Sequence, residues 1–67
     1  MGVARITEIS ATSNESFDDA LKQGVARATK TLRNVRSAWI KEQRIEINGD
    51  QIAEYQVNLL ITFVLDD

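Results

Sequence analysis

The chain has 67 residues, a net charge of −2, and neither Cys nor His. Its length allows one domain, residues 1–67, and a domain this short usually needs disulfides, a metal or partner subunits for stability. The missing Cys excludes disulfides, and the missing His removes the commonest metal ligand and acid–base catalyst, so we expect partner subunits.

The first predicted element is a short strand over residues 3–10, which have β-branched content and partial alternation. Residues 11–15 are predicted to form a polar break. Ser16 is a favourable N-cap, and Asp19, three residues later, is the expected reciprocal partner of a capping box. A helix is therefore expected to begin at Phe17.

The helix is predicted from apolar and small residues at helical spacing. They are Phe17, Ala20, Leu21, Gly24, Val25, Ala28 and Leu32. A glycine inside a helix costs about 1 kcal/mol relative to Ala. Gly24 is therefore expected to let the helix approach a sheet closely, and the helix is expected to stop near Asn34.

Two long strands are predicted over residues 36–47 and 52–65, joined by a hairpin turn of typical Asn-Gly-Asp sequence. The order β-α-β-β predicts an α+β fold, with a three-stranded antiparallel sheet wrapped on one helix. A two-residue turn predicts three opposed pairs in the hairpin: Ile47 with Ile52, Gln43 with Gln56, and Trp39 with Leu60.

One face of this sheet is predicted to lie against the helix and the other to remain uncovered. Alternation in the last strand places one set toward the helix: Ala53, Tyr55, Val57, Leu59, Ile61, Phe63 and Leu65. The predicted outward set is Ser37, Trp39, Gln43, Ile45 and Ile47 with Gln56, Leu60 and Val64. Because this outward face is too apolar for solvent, we expect a symmetric homo-oligomer.

Four segments of the chain carry a resemblance to a known family: ITEISATSNESFDDA, ARATKTLRNV, IKEQRIEI and EYQVNLLITFVL. Through them the sequence resembles the dodecin family over essentially its whole length. The resemblance implies a hollow homododecamer built from trimers. It also implies two flavin rings, stacked near a two-fold axis between aromatic side chains, and a role in flavin storage.

The resemblance implies five cofactor-binding residues in this chain. Gln56 matches a Gln whose amide bonds the flavin ring edge, and Glu42 and Arg44 fill positions that are acidic and basic in family members. Ser37 stands where flavin-binding members carry the stacking Trp, and the Trp of this chain comes two residues later, at Trp39. A two-residue move along a strand keeps the same face.

Each of these residues also has a purely structural interpretation. Trp39 either stacks on a flat ligand or anchors a subunit interface. Gln56 either contacts a ligand or bonds interface backbone, and Glu42 with Arg44 could form an ion pair between strands or subunits. Some members carry an Arg near the end of the last strand where Val64 stands here, which disfavours a phosphorylated flavin.

The leading functional hypothesis is flavin storage, with riboflavin, FMN or a lumichrome-like product as the ligand. The alternative is a flavin-less shell that serves as a scaffold or binds calcium, as suggested by Ser37. Asp66 and Asp67 could hold a cation, but a frayed acidic tail is the preferred interpretation. No catalytic motif is present, so no enzyme activity is expected.

The composition also predicts the surroundings of the protein. A net charge of −2 argues against nucleic acid as a partner. The longest apolar run, residues 59–65, is too short to cross a bilayer, and no signal peptide is evident. A cytoplasmic location without membrane partners is therefore expected.

Overall fold

The computed structural model describes residues 2–65, which form three strands and one helix. In chain order these are β1 (Ala4–Ser13), α1 (Phe17–Thr31), β2 (Val35–Asn48) and β3 (Gln51–Val64). The strands form one antiparallel sheet in the order β1-β3-β2. The predicted β-α-β-β arrangement is confirmed.

Strand β1 runs three residues further than predicted. Ser13 still pairs with Tyr55, while its Oγ donates to the Asp19 carboxylate at 2.6 Å and accepts from the Glu15 amide at 2.9 Å. The polar residues after Ser10 therefore belong to the ladder and to the helix cap. The prediction of a break starting at Ala11 was wrong because polar character alone did not reveal these partners.

The start of α1 agrees with the predicted N-cap. Ser16 is extended, and its Oγ accepts from the Asp19 amide at 2.9 Å. The Asp19 carboxylate accepts from Ser13 Oγ and Gln23 Nε2, each at 2.6 Å, so its bonds tie the helix to β1. The helix ends at Thr31, slightly before the predicted limit, and Asn34 takes a φ of 60° in the turn to β2.

The core lies between α1 and the middle of β3. Val57, Leu59 and Ile61 are fully buried against Ala20 and Ala28 of the helix. This confirms the predicted helix-facing set at its centre. At the ends of the set, Ala53 and Leu65 remain exposed because the helix is shorter than the strand, while Tyr55 and Phe63 are half-buried.

The shape of the chain leaves most of the hairpin uncovered. The radius of gyration is 13.9 Å, with extents of 51 × 19 × 13 Å, whereas a compact domain of this length has about 11 Å. A 15-residue helix spans about 22 Å, and a 14-residue strand spans about 47 Å. The hairpin therefore extends well past the helix, as expected of a chain completed by partner subunits.

Candidate functional site: the outward face of the sheet

The register of the hairpin agrees with the prediction at both ends and departs from it in the middle. Ile47 lies opposite Ile52 and Trp39 lies opposite Leu60, as predicted. Between these pairs the register shifts by one residue, and the predicted pairing of Gln43 with Gln56 was wrong. The shifts fall between Glu46 and Ile47 and between Ile40 and Glu42.

Lys41, between Ile40 and Glu42, has no pairing partner on β3 and forms a β-bulge in β2. Ile40 pairs with Leu59 and Glu42 pairs with Asn58, so the bulge places one extra residue between consecutive rungs. The alternation of β2 is therefore inverted on the two sides of Lys41. This one residue decides which β2 side chains share a face.

The inverted alternation corrects the predicted outward face. Gln43 lies opposite Val57, and Ile45 lies opposite Tyr55, so both belong to the helix side of the sheet. Directly opposed residues of an antiparallel pair project from the same face. The periodic pattern of β2 could not show this because a bulge adds a residue without an evident sequence mark.

The five predicted cofactor-binding residues lie on one face as a result. Ser37 and Trp39 oppose Thr62 and Leu60 before the bulge, and the rungs after it hold the remaining three: Glu42, Arg44 and Gln56. Gln56 opposes Arg44 directly. Without the bulge, Ser37 and Trp39 would lie on one face of β2, and Glu42 and Arg44 would lie on the other.

The two ends of this set are well separated within one chain. Trp39 lies at the rung of Leu60, four residues along β3 from Gln56. At about 3.4 Å per residue, that spacing is about 14 Å along the strand. The aromatic surface and the amide therefore form two subsites of the face rather than one tight pocket.

A hydrogen-bonded chain of polar side chains crosses the middle of the face. Gln56 Nε2 donates to Ser10 Oγ at 2.9 Å and to Asn58 Oδ1 at 3.2 Å. Asn58 Nδ2 donates in turn to Glu42 Oε1 at 3.2 Å. The chain links all three strands, and we call Ser10, Gln56, Asn58 and Glu42 the amide relay.

Two members of the amide relay, Asn58 and Ser10, were not predicted from the sequence. Asn58 follows Gln56 at the strand period of two, which is a usable signal for a shared face. Ser10 carries no such signal, because its place beside Gln56 depends on the register between β1 and β3, in which Thr12 opposes Gln56. Only the assembled sheet reveals it.

A surface ion pair crosses the same face. Lys41 Nζ lies 3.3 Å from Glu8 Oε1, with both side chains about half exposed. Among residues 2–65, Glu42 and Arg44 do not form an ion pair within the chain, and Glu42 is engaged by Asn58. The alternative of a bond between subunits stays a prediction.

The aromatic end of the face is open to solvent. Trp39 is 46% exposed beside Leu60, which is only partly buried. An exposed ring on the same face as amide, carboxylate and guanidinium groups suits a flat aromatic ligand with a polar edge. That combination is the main chemical capacity of this face.

The described part of the chain offers little else for metal or membrane binding. Residues 2–65 contain no cluster of three or more His, Cys, Asp or Glu side chains arranged to hold a metal ion. Asp66 and Asp67 lie outside the described residues. No helix within residues 2–65 has the length and apolar character needed to cross a membrane.

A family model and a protein of known family are both similar to this chain, and both carry the same family name. A family model described as Dodecin matches residues 3–66. A dodecin from Thermus thermophilus is 37% identical over 65 residues, which cover 97% of this chain and 94% of that protein.

Solved dodecin structures share the fold. The dodecin from Streptomyces davaonensis superposes with a TM-score of 0.92 at 38% identity, covering 98% of this chain and 97% of that one. The Streptomyces coelicolor dodecin also gives 0.92, at 33% identity, with 98% and 94% covered. A calcium dodecin from Mycobacterium tuberculosis, described as a calcium-chelating antigen with a novel calcium-binding site, gives 0.83 at 25% identity, with 96% and 91% covered.

Proposed function

This chain belongs to the dodecin family, and from that premise we propose that it is a flavin-binding storage protein. The flavin is held at intersubunit pockets of a hollow homododecamer built from trimers. The observation that carries the proposal is the β-bulge at Lys41, since it gathers an exposed Trp and polar side chains on one face. These groups match the two parts of a flavin, a flat ring and a hydrogen-bonding edge.

Trp39 is the proposed stacking residue. Its ring is 46% exposed on the face that the helix leaves uncovered. Stacking of aromatic rings contributes about 0.5–1.5 kcal/mol beyond area burial. The move of the Trp from position 37 to Trp39 keeps the ring on the same side of β2, because both positions precede the bulge.

Gln56, Glu42 and Arg44 are the proposed polar contacts, with Ser37 lining the aromatic end. The spacing of about 14 Å between Trp39 and Gln56 along β3 favours a pocket shared by two subunits. A two-fold axis across the face brings the ring of one chain toward the amide of another. Assembly and ligand binding then depend on the same surface.

The preferred ligand is an uncharged flavin such as riboflavin or a lumichrome-like product. Val64 offers no charge for a phosphate, and Arg44 is the one candidate site residue with a cationic side chain. The guanidinium of Arg44 is therefore expected to raise the affinity for FMN only slightly above the affinity for riboflavin. A storage role requires no catalytic group, so we propose no enzyme activity.

The test is a titration of riboflavin with purified protein, followed by flavin fluorescence. Stacking on Trp39 is expected to quench flavin emission at micromolar protein, and the absorbance spectrum of denatured protein should reveal any flavin carried through purification. Light scattering should give the mass of twelve chains. Unchanged flavin emission at micromolar protein would refute flavin binding.

A calcium-binding shell is the second candidate, favoured by Ser37 at the usual Trp position and by the calcium dodecin of Mycobacterium tuberculosis. It predicts a colourless, assembled protein whose melting temperature rises with calcium and falls with a chelator. Equal melting temperatures in calcium and chelator would remove this candidate.

A further inference from the structure

The amide relay fixes the orientation of Gln56, starting from the carboxylate of Glu42. An ionised carboxylate accepts hydrogen bonds and cannot donate them. The Asn58 atom that faces Glu42 Oε1 at 3.2 Å must therefore be the amide nitrogen. The carbonyl oxygen of Asn58 then points to the other side, toward Gln56.

Asn58 passes this constraint to Gln56. Its Oδ1 lies 3.2 Å from the Gln56 amide and can only accept, so the facing Gln56 atom must be Nε2. The same nitrogen lies 2.9 Å from Ser10 Oγ. An amide nitrogen has two N–H groups, and these two contacts engage both.

The orientation has a consequence for ligand choice. With both N–H groups of Gln56 engaged inside the sheet, the group left for a ligand is the carbonyl oxygen Oε1. We propose that Asn58 is a positioning residue, which holds Gln56 as a hydrogen-bond acceptor and so selects ligand edges that carry an N–H donor. This inference rests on the proposed function and names the edge of the flavin that Gln56 recognises.

The imide edge of an oxidised flavin has such a donor, the N3–H group flanked by two carbonyls. A flavin methylated at N3 keeps its aromatic ring and loses this donor. A ligand that leaves a buried acceptor without its partner pays the desolvation cost of that acceptor. The comparison of riboflavin with N3-methylriboflavin therefore isolates the contact to Gln56 Oε1.

The experiment measures dissociation constants of both flavins by fluorescence quenching, for the wild type and for Asn58→Leu, Glu42→Gln and Glu46→Gln. Asn58→Leu removes the middle of the relay, and Glu42→Gln removes the acceptor-only constraint at its start. Glu46→Gln is the matched control, because Glu46 lies on β2, opposite Glu54 and outside the relay. Light scattering checks that each variant is assembled.

The wild type and Glu46→Gln are expected to bind riboflavin about tenfold more tightly than N3-methylriboflavin, the size of one hydrogen bond. In Asn58→Leu and Glu42→Gln the preference is expected to fall below about threefold, because the Gln56 amide can turn. Equal wild-type affinities for the two flavins would overturn the inference and leave flavin binding intact. A full preference in both relay variants would overturn the role of Asn58, and absence of binding to either flavin would overturn the proposed function itself.

Discussion

Gly24 of α1 lies directly against Leu59 of β3. A Cβ atom at Gly24 would come within 2.9 Å of Leu59 Cδ1 and 3.1 Å of Ala11 Cβ. The glycine thus sets the distance between the helix and the sheet. This was predicted from its place among the apolar and small residues at helical spacing. The contact also gives a direct test of how tightly the small core is packed.

Gly24→Ala is expected to lower the free energy of unfolding by about 1 kcal/mol. Overpacking costs about 1–3 kcal/mol, and the better helix propensity of Ala returns about 1 kcal/mol. Chemical denaturation measures the change. The matched control is Ala26→Gly at an exposed position of the same helix, which should lower the free energy of unfolding by the difference in helix propensity alone. A Gly24→Ala protein more stable than the wild type would show that the helix does not need the close approach.

Trp39→Ala is expected to weaken riboflavin binding about tenfold and to reduce the quenching of flavin emission, since the stacking surface is lost. Fluorescence titration gives both quantities. Ile40→Ala provides the comparison, because Ile40 lies on the opposite face of the same strand.

The mass of Trp39→Ala separates the two interpretations of this residue. An assembled variant that has lost flavin affinity supports stacking. Dissociation into smaller species would instead identify Trp39 as an interface anchor.

Ile47→Glu is expected to impair assembly. Ile47 and Ile52 form an opposed pair near the hairpin turn and are 65% and 49% exposed in the single chain. A carboxylate placed in an apolar interface loses its hydration and destabilises the contact. Light scattering should show smaller species, and calorimetry should show a lower melting temperature. The control Glu46→Gln, at the adjacent position, should retain the wild-type mass. Full assembly of Ile47→Glu would show that this pair lies outside the interface.

Asp19 is expected to make stability fall in acid. Hydrogen bonds from Ser13 and then Gln23 hold the pKa of the Asp19 carboxyl below its ordinary value of 3.8, with a smaller contribution from Lys22. Because the folded pKa lies below the unfolded one, this stabilisation is present above about pH 4 and is lost as the pH falls through the folded pKa.

Asp19→Asn should therefore flatten the pH dependence of unfolding below pH 4, measured by denaturation at several pH values. Asp18→Asn is the control, since it removes a carboxylate from the same helical turn without removing the contact to Ser13. Identical pH profiles for the wild type and Asp19→Asn would contradict the role of the Ser13 contact.

The sequence by itself determined the element order, the helix cap at Ser16, the close approach at Gly24 and the two-residue turn of Gly49 and Asp50. These features depend on local propensity and on periodic burial, which neighbouring residues specify. The resemblance to dodecins supplied the candidate ligand and the five candidate residues, and the family match agrees with it.

Only the tertiary structure decided which of these residues share a face. The bulge at Lys41 depends on how β2 pairs with β3, and it moved Gln43 to the helix side while placing Glu42 and Arg44 beside Gln56. The amide relay likewise depends on the register that carries Ser10 next to Gln56. A period of two specifies alternation within a strand, whereas the place where that alternation is interrupted is set by contacts between strands.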